Sequence, residues 1–235
     1  MKRRQFAMLM VAIAGRIALA VTPLSLLLKR AWAQTRRRLL PAQTDPKSLI
    51  YEDPELLDPH QMAITPVDQF NTMGLTEHPV NLERWRLTVG GAVAKPLTLS
   101  LDQIKALPVL KRDVLLICPG VFAYYARWQG ISLNGLLQQA GIEPQATHVD
   151  VTGPSGKFYK MERFALGPIR SEKVFLAYGV NGVPLPEKHG FPLRVVAEGQ
   201  VGSQWIKFVD KIEAVVAETA PKKEKTLTPG PAYPP

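Results

Sequence analysis

One cysteine, Cys118, stands in 235 residues. That scarcity excludes a disulfide within the chain and a cysteine cluster for an iron–sulfur centre, and no Cys-x-x-Cys-His haem-attachment motif occurs either. Acidic residues are missing from the start of the chain: residues 1–38 hold nine Lys or Arg and no Asp or Glu, leaving 20 basic and 20 acidic residues from 39 onward. The net charge of +9 therefore belongs to the N-terminus, and the formally neutral remainder excludes a nucleic-acid partner. No internal repeat is present.

The basic N-terminus reads as targeting. Lys2-Arg3-Arg4-Gln5-Phe6 is a charged opening, an apolar stretch runs from Phe6 to Leu28, and Ala31-Trp32-Ala33 offers a small-x-small cleavage site. Arg3-Arg4 followed by x-Phe resembles the twin-arginine export signal, a route that carries folded proteins to the periplasm. About 20 apolar residues also suffice for an uncleaved membrane tether, although Arg16 near the middle costs such a span a few kcal/mol. Both readings of 1–33 stand, and both place the body of the protein beyond the inner membrane. Residues 34–76, rich in Pro, Asp and Gln, read as an extended arm, 77–217 as one domain, and 218–235, proline-rich and polar, as a tail too poor in apolar residues to pack.

Within the domain the pattern is α+β, mostly β with short helices. Trp85 to Val89 alternates like a half-buried strand, and Ser100 with Gln103 three residues later opens a short helix through a capping box. Ser132 caps a second helix, Leu133 to Ala140, closed by Gly141. His148 to Thr152 and Lys157 to Met161 read as a hairpin, Val174 to Tyr178 as a strand leading to a turn at Asn181-Gly182, and Pro192 to Ala197 and Ile206 to Val216 as the last strands. So few short helices exclude a parallel sheet built on crossover helices.

Cys118 ends the apolar run Val114-Leu115-Leu116-Ile117 directly before Pro119-Gly120, so a strand delivers a single thiol to a loop. By itself such a cysteine is as well a small core hydrophobe as a metal ligand. Further on, His189 and Arg194 bracket a Gly-x-Pro turn at the mouth of a strand, and Lys207 is expected on the next one. Two permanent cations and an imidazole suit an anion, most naturally a phosphate, with Gly202 letting backbone N–H groups approach. Tyr124-Tyr125-Ala126-Arg127 reads as a loop at the mouth of a site.

Together these segments resemble the sulfite-oxidase family of molybdopterin enzymes over most of residues 68–216. Cys118, Trp128, Gly130, Leu133, Leu136 and Leu137 match Cys-x9-Trp-x-Gly-x-x-Leu-x-x-Leu-Leu, and Ala177 to Pro186 match Ala-Tyr-x-x-Asn-Gly-x-Pro-Leu-Pro. His-Gly-Phe-Pro-x-Arg follows at His189–Arg194, and a Gly-x-x-x-x-Lys segment ends at Lys207. The resemblance implies the sulfite-oxidase-type molybdopterin-binding fold and a Mo-molybdopterin cofactor. It implies Cys118 as the thiolate ligand and catalytic centre. It gives His189, Arg194, Trp205, Ile206 and Lys207 to the pterin and its phosphate, with Ser203 and Asn71 placed by spacing. The soft thiolate and the cationic cradle are consistent with that cofactor.

Departures narrow the activity. Pro119-Gly120-Val121-Phe122-Ala123 stands where sulfite oxidases carry Ala-Gly-Asn-Arg-Arg, and Phe70 to Gly74 replaces their upstream Thr-Arg pair, which points away from a sulfite-specific pocket. Nothing foldable is expected after Ala217, where those oxidases carry an immunoglobulin-like dimerisation domain. The layout is similar to bacterial periplasmic methionine-sulfoxide reductase catalytic subunits. Three functions follow: a periplasmic sulfoxide reductase working with a separate electron-transfer partner such as a membrane haem or quinone-linked subunit; a dehydrogenase of sulfite or a similar small oxyanion; and a metal-free binding module that keeps the fold with Cys118 as a core residue.

Overall fold

The computed structural model describes residues 37–154 and 159–216. The targeting segment 1–33 and the tail 218–235 lie outside the described residues.

After a short parallel pair, β1 (Arg38–Leu39) and β2 (Leu57–Asp58), the chain forms β3 (Leu87–Gly91), β4 (Leu97–Leu99), α1 (Leu101–Lys105), β5 (Val109–Cys118) and β6 (Phe122–Ile131). It continues through α2 (Leu133–Gln139), β7 (His148–Thr152), β8 (Met161–Ala165), α3 (Leu166–Arg170) and β9 (Val174–Val180). It ends with β10 (Val183–Pro184), β11 (Arg194–Ala197) and β12 (Lys211–Val215). One sheet has the order β10-β9-β6-β5 with β11 also paired to β9; the other has the order β4-β3-β12-β7-β8. All pairs in both sheets are antiparallel except β12 with β3. The mostly-β, short-helix reading is what the chain adopts.

Side chains of both sheets and all three helices share one apolar core, with Trp128, Leu133, Leu136 and Val149 sealed in it. Burying each large aliphatic side chain contributes roughly 1.5–3 kcal/mol, so this cluster is the main favourable contribution to the fold. Local signals agree with it. Ser100 Oγ accepts from Gln103 N while Gln103 Oε1 accepts from Ser100 N, the reciprocal cap read from the sequence. Ser132 Oγ accepts from Gly135 N at 2.8 Å to start α2 and donates to Glu172 at 2.6 Å.

The strand that carries Cys118 is covered on both faces. Val114 and Leu116 point into the main core, whereas Leu115 and Ile117 pack with Ala123 and Tyr125 against Leu40, Leu49, Leu57 and Met62 of the N-terminal segment. Double coverage is why this strand ends as a continuous apolar run instead of alternating. Asp45 and Asp53 cap two short helical turns of the covering segment, each with proline at its first position. On the partner strand, a Cβ on Gly130 would lie 1.8 Å from the Leu176 carbonyl oxygen, at the register shift between β6 and β9. Only glycine permits that approach.

Several expected boundaries move. The first strand is Leu87–Gly91, because Trp85 N is tied to Asn81 O in a turn. The outer strand of the hairpin is Met161–Ala165, since Thr152 pairs with Met161; Lys157 and Phe158 of the expected strand lie outside the described residues. The final strand starts at Lys211: Val195 N donates to Ile206 O, Val209 N to Leu193 O, and Phe208 at φ 56 turns the chain between them. Lys207 therefore sits on an irregular segment before β12, not on a strand. Tyr124 to Arg127 is no loop; it lies within β6.

Candidate functional site

A cleft of about 590 Å³ opens at the C-terminal end of β5. Cys118, Asn71, His189, Arg194, Ser203, Trp205 and Lys207, seven of the eight residues expected at the site, line it together. Ile206 lies outside the lining; its side chain is in the core. The gathering is a consequence of topology: β5 brings Cys118, the turn before β11 brings His189 and Arg194, and the irregular segment before β12 brings Trp205 and Lys207.

Part of the cleft lining is cationic. Arg194 is only 4% exposed and no carboxylate pairs with it among the described residues. Its guanidinium lies 5.0 Å from the Trp128 ring centre and 5.6 Å from that of Trp205, and Nη1 donates to the His189 carbonyl at 3.0 Å. Lys207 Nζ donates to Thr72 Oγ1 at 3.0 Å and to the Lys188 carbonyl at 3.2 Å, both neutral groups. Burial, then Arg194 and Lys160, push the Lys207 ammonium down to about 8. Burial, then Arg194, Lys188 and Lys207, push His189 down to about 4. Its Nε2 is buried without a hydrogen-bond partner. Unpaired buried cations beside an unsatisfied imidazole nitrogen are costly unless an anion completes them.

Beside Cys118 the lining is different. Leu116, Pro119, Phe122 and Met73 supply an apolar wall, and Tyr124 stands stacked between Phe70 at 4.0 Å and Phe122 at 5.8 Å. Burial pushes the Tyr124 hydroxyl up and Arg194 pulls it part of the way back. Burial raises the Cys118 thiol and the charge of Lys160 opposes that rise. Gly202 allows the 202–204 turn to back the cysteine: a Cβ there would lie 3.2 Å from the Ile117 carbonyl oxygen and 3.4 Å from Cys118 Cα. The role visible at Gly202 is thus close approach to the strand end.

Sequence reasoning missed Thr72 and Lys160 as lining residues, and it set Tyr124 at the mouth of the site on a loop, where the chain has β6. The pleat of β6 is the signal that would have placed Tyr124, since it sends Tyr124 to the cleft and Tyr125 to the opposite face, against the N-terminal segment. Thr72 and Lys160 arrive from irregular segments, where periodicity carries no information.

A thiol at the end of a strand, an anion cradle and a cleft between them fit a metal held by a thiolate and by a phosphate-bearing organic ligand. The family described as oxidoreductase molybdopterin binding domain matches residues 75–223, and the chain belongs to it. Among relatives, rat mitochondrial sulfite oxidase is 32% identical over 196 residues, covering 71% of this chain and 35% of that protein. The protein-methionine-sulfoxide reductase catalytic subunit MsrP of Gluconobacter oxydans (strain 621H) is 30% identical over 156 residues, 60% of this chain and 49% of that protein. The solved sulfane dehydrogenase SoxCD of Paracoccus pantotrophus superposes with a TM-score of 0.59 at 19% identity, over 83% of this chain and 55% of that one, which establishes likeness of fold. The chain spans between 18% and 49% of the length of the curated relatives it matches.

The buried imidazole makes a pH prediction. His189 holds its proton only below about 4, against an ordinary value of 6.5, so the unfolded chain binds the proton first as pH falls. Its contribution to stability is whole above pH 6.5 and is lost between 6.5 and about 4. The stability advantage of cofactor-free wild type over His189→Asn should be constant above that window and shrink within it, by urea titration at stepped pH. A difference that does not change with pH would refute a buried neutral imidazole.

Proposed function

We propose that the chain is the catalytic component of a periplasmic molybdenum-cofactor oxidoreductase that performs oxygen-atom transfer, reducing a sulfoxide such as methionine sulfoxide with electrons from a separate partner. The observation that carries this reading is that one cleft joins the buried cations Arg194 and Lys207 to the apolar residues Leu116, Pro119 and Phe122 beside Cys118. Dianionic sulfite against Leu116, Pro119 and Phe122 would lose hydration without matching hydrogen bonds, whereas a neutral sulfoxide with apolar substituents gains from that wall.

In this reading Cys118 supplies the thiolate ligand. Arg194, Lys207 and His189 hold the phosphate and pterin, Trp205 and Ser203 shape the walls, Asn71 closes the cleft from the N-terminal segment, and Ile206 anchors the segment through its bond from Val195 N. When bound, the molybdenum centre supplies two-electron oxygen-atom exchange. The chain's own part is to fix the thiolate, neutralise the phosphate and exclude water with the Phe70–Tyr124–Phe122 stack. Arg3-Arg4 and the apolar segment after them support export in the folded state through the twin-arginine route. The single cysteine supports a separate electron partner, as does the word subunit in the name of the Gluconobacter relative.

A second reading, oxidation of sulfite or a similar oxyanion, draws on the sulfite oxidase relatives. Holoprotein supplied with reduced viologen should turn over methionine sulfoxide or dimethyl sulfoxide with kcat/KM at least about tenfold above that for sulfite with an artificial acceptor. The reverse ranking would overturn the sulfoxide reading. Purified protein from a molybdenum-competent host that holds no metal by elemental analysis would favour the binding module instead.

A further inference from the structure

The cleft carries a third cation besides Arg194 and Lys207, and this one lies closest to the cysteine in its effect. Arg194 and Lys207 sit with His189, whereas the charge that reaches the Cys118 thiol belongs to Lys160. Residues 119–123, directly after the cysteine, carry no cation at all. Lys160 lines the cleft just before β8, and its Nζ donates to the Ser203 carbonyl. The neighbouring Gly202 rests against Cys118, where an added Cβ would meet the Cys118 Cβ at 3.4 Å. The ammonium is thereby held one residue from the backbone that backs the thiol. Glu162 raises the affinity of Lys160 for its proton and is itself held by Gln204 Nε2 at 3.3 Å.

An ammonium has three donors, and one is committed to Ser203, which leaves two for a ligand. Met73, Phe122 and Pro119, which line the same cleft, carry no polar side-chain group. We propose that Lys160 is the substrate-binding residue that takes the sulfur-bound oxygen of a neutral substrate, with the apolar wall taking the substituents on sulfur. One cation with two free N–H groups matches a single partially negative oxygen. The inference rests on the oxygen-atom-transfer reading above and deepens it, because it names the residue that orients the sulfur-bound oxygen.

The test uses holoprotein of wild type, Lys160→Met and Lys160→Arg. Dimethyl sulfone, which offers neutral sulfur-bound oxygens and apolar substituents, is titrated without any electron donor and followed by the absorption of the molybdenum centre. Loss of a charge-assisted hydrogen bond should weaken its binding roughly tenfold to hundredfold in Lys160→Met, with most of the loss restored in Lys160→Arg. Molybdenum content should be equal in all three proteins. With dimethyl sulfoxide and reduced viologen, KM should rise in Lys160→Met by a similar factor while kcat falls less. Weakened sulfone binding with no sulfoxide turnover in wild type would support Lys160 and overturn the reductase reading alone. Sulfoxide turnover in wild type with unchanged sulfone affinity and KM in Lys160→Met would overturn the role of Lys160 alone. Loss of molybdenum from Lys160→Met and Lys160→Arg alike would place the residue in the cofactor cradle and overturn the proposal too.

Discussion

Cys118→Ser is expected to abolish turnover and leave the fold intact. The thiol ends β5 at the wall of the cleft, with partial exposure, so a serine hydroxyl there is hydrated and strains nothing. Substitutions of that kind shift folding stability by about 0.5 kcal/mol or less. Function is affected far more, because an alcohol does not ionise near neutral pH and is a hard, weak ligand where a soft thiolate is needed. Changing only the groups that orient a metal ligand costs about 10–100-fold in affinity or activity, and removing the ligand itself should cost more. Burial raises the Cys118 thiol above its ordinary value, so the metal-free protein holds a protonated thiol and metal loading must release that proton. Activity within about tenfold of wild type, at full molybdenum content, would remove Cys118 from its assigned role. An unfolded variant, seen by circular dichroism, would return it to the core.

What was readable in the sequence, and what was not, follows from how each residue reaches the site. The capping box at Ser100 and Gln103 and the serine cap at Ser132 are local chemistry and appear where local rules put them. Cys118 was legible because a β-branched apolar run must end somewhere, and Pro119-Gly120 marks that end. The same run did not disclose that Leu115 and Ile117 are covered by the N-terminal segment, since a strand buried on both faces and a strand at a core centre share one pattern. Aromatic and apolar residues at Tyr159 to Met161 and at Ile206 to Val209 imitate strands. Their hydrogen bonds assign the hairpin strand to Met161–Ala165 and the last strand to Lys211–Val215. Lys160 and Thr72 come from such irregular stretches, and only the folded chain brings them to the cysteine and the cradle. Tyr124 and Tyr125 were separated by the pleat, one to each face of the sheet.

Arg194→Gln should deplete the cofactor while sparing the metal-free fold. The guanidinium is buried among two indole rings, two carbonyls and the Tyr124 hydroxyl with no carboxylate partner, so the metal-free protein bears an uncompensated charge. Burying an ion without its counter-ion still costs several kcal/mol after relaxation, and a neutral amide of similar reach removes that cost. Stability of the metal-free variant should therefore equal or exceed that of wild type, the opposite of what loss of an ordinary buried ion pair produces. Binding of an anionic cofactor reverses the sign. A charge-assisted hydrogen bond is worth roughly 1.5–3 kcal/mol, so retention of a phosphate-bearing ligand should weaken about tenfold to hundredfold. Lys207→Ala should show the same trend more weakly, because that ammonium is already pushed down to about 8 and keeps only part of its charge above neutral pH. Molybdenum and pterin content after identical purification, set against the melting temperature of the metal-free proteins, separates the two effects. Arg194→Gln that keeps full cofactor, or that loses stability without cofactor as steeply as with it, would show that the guanidinium serves the core and not an anion.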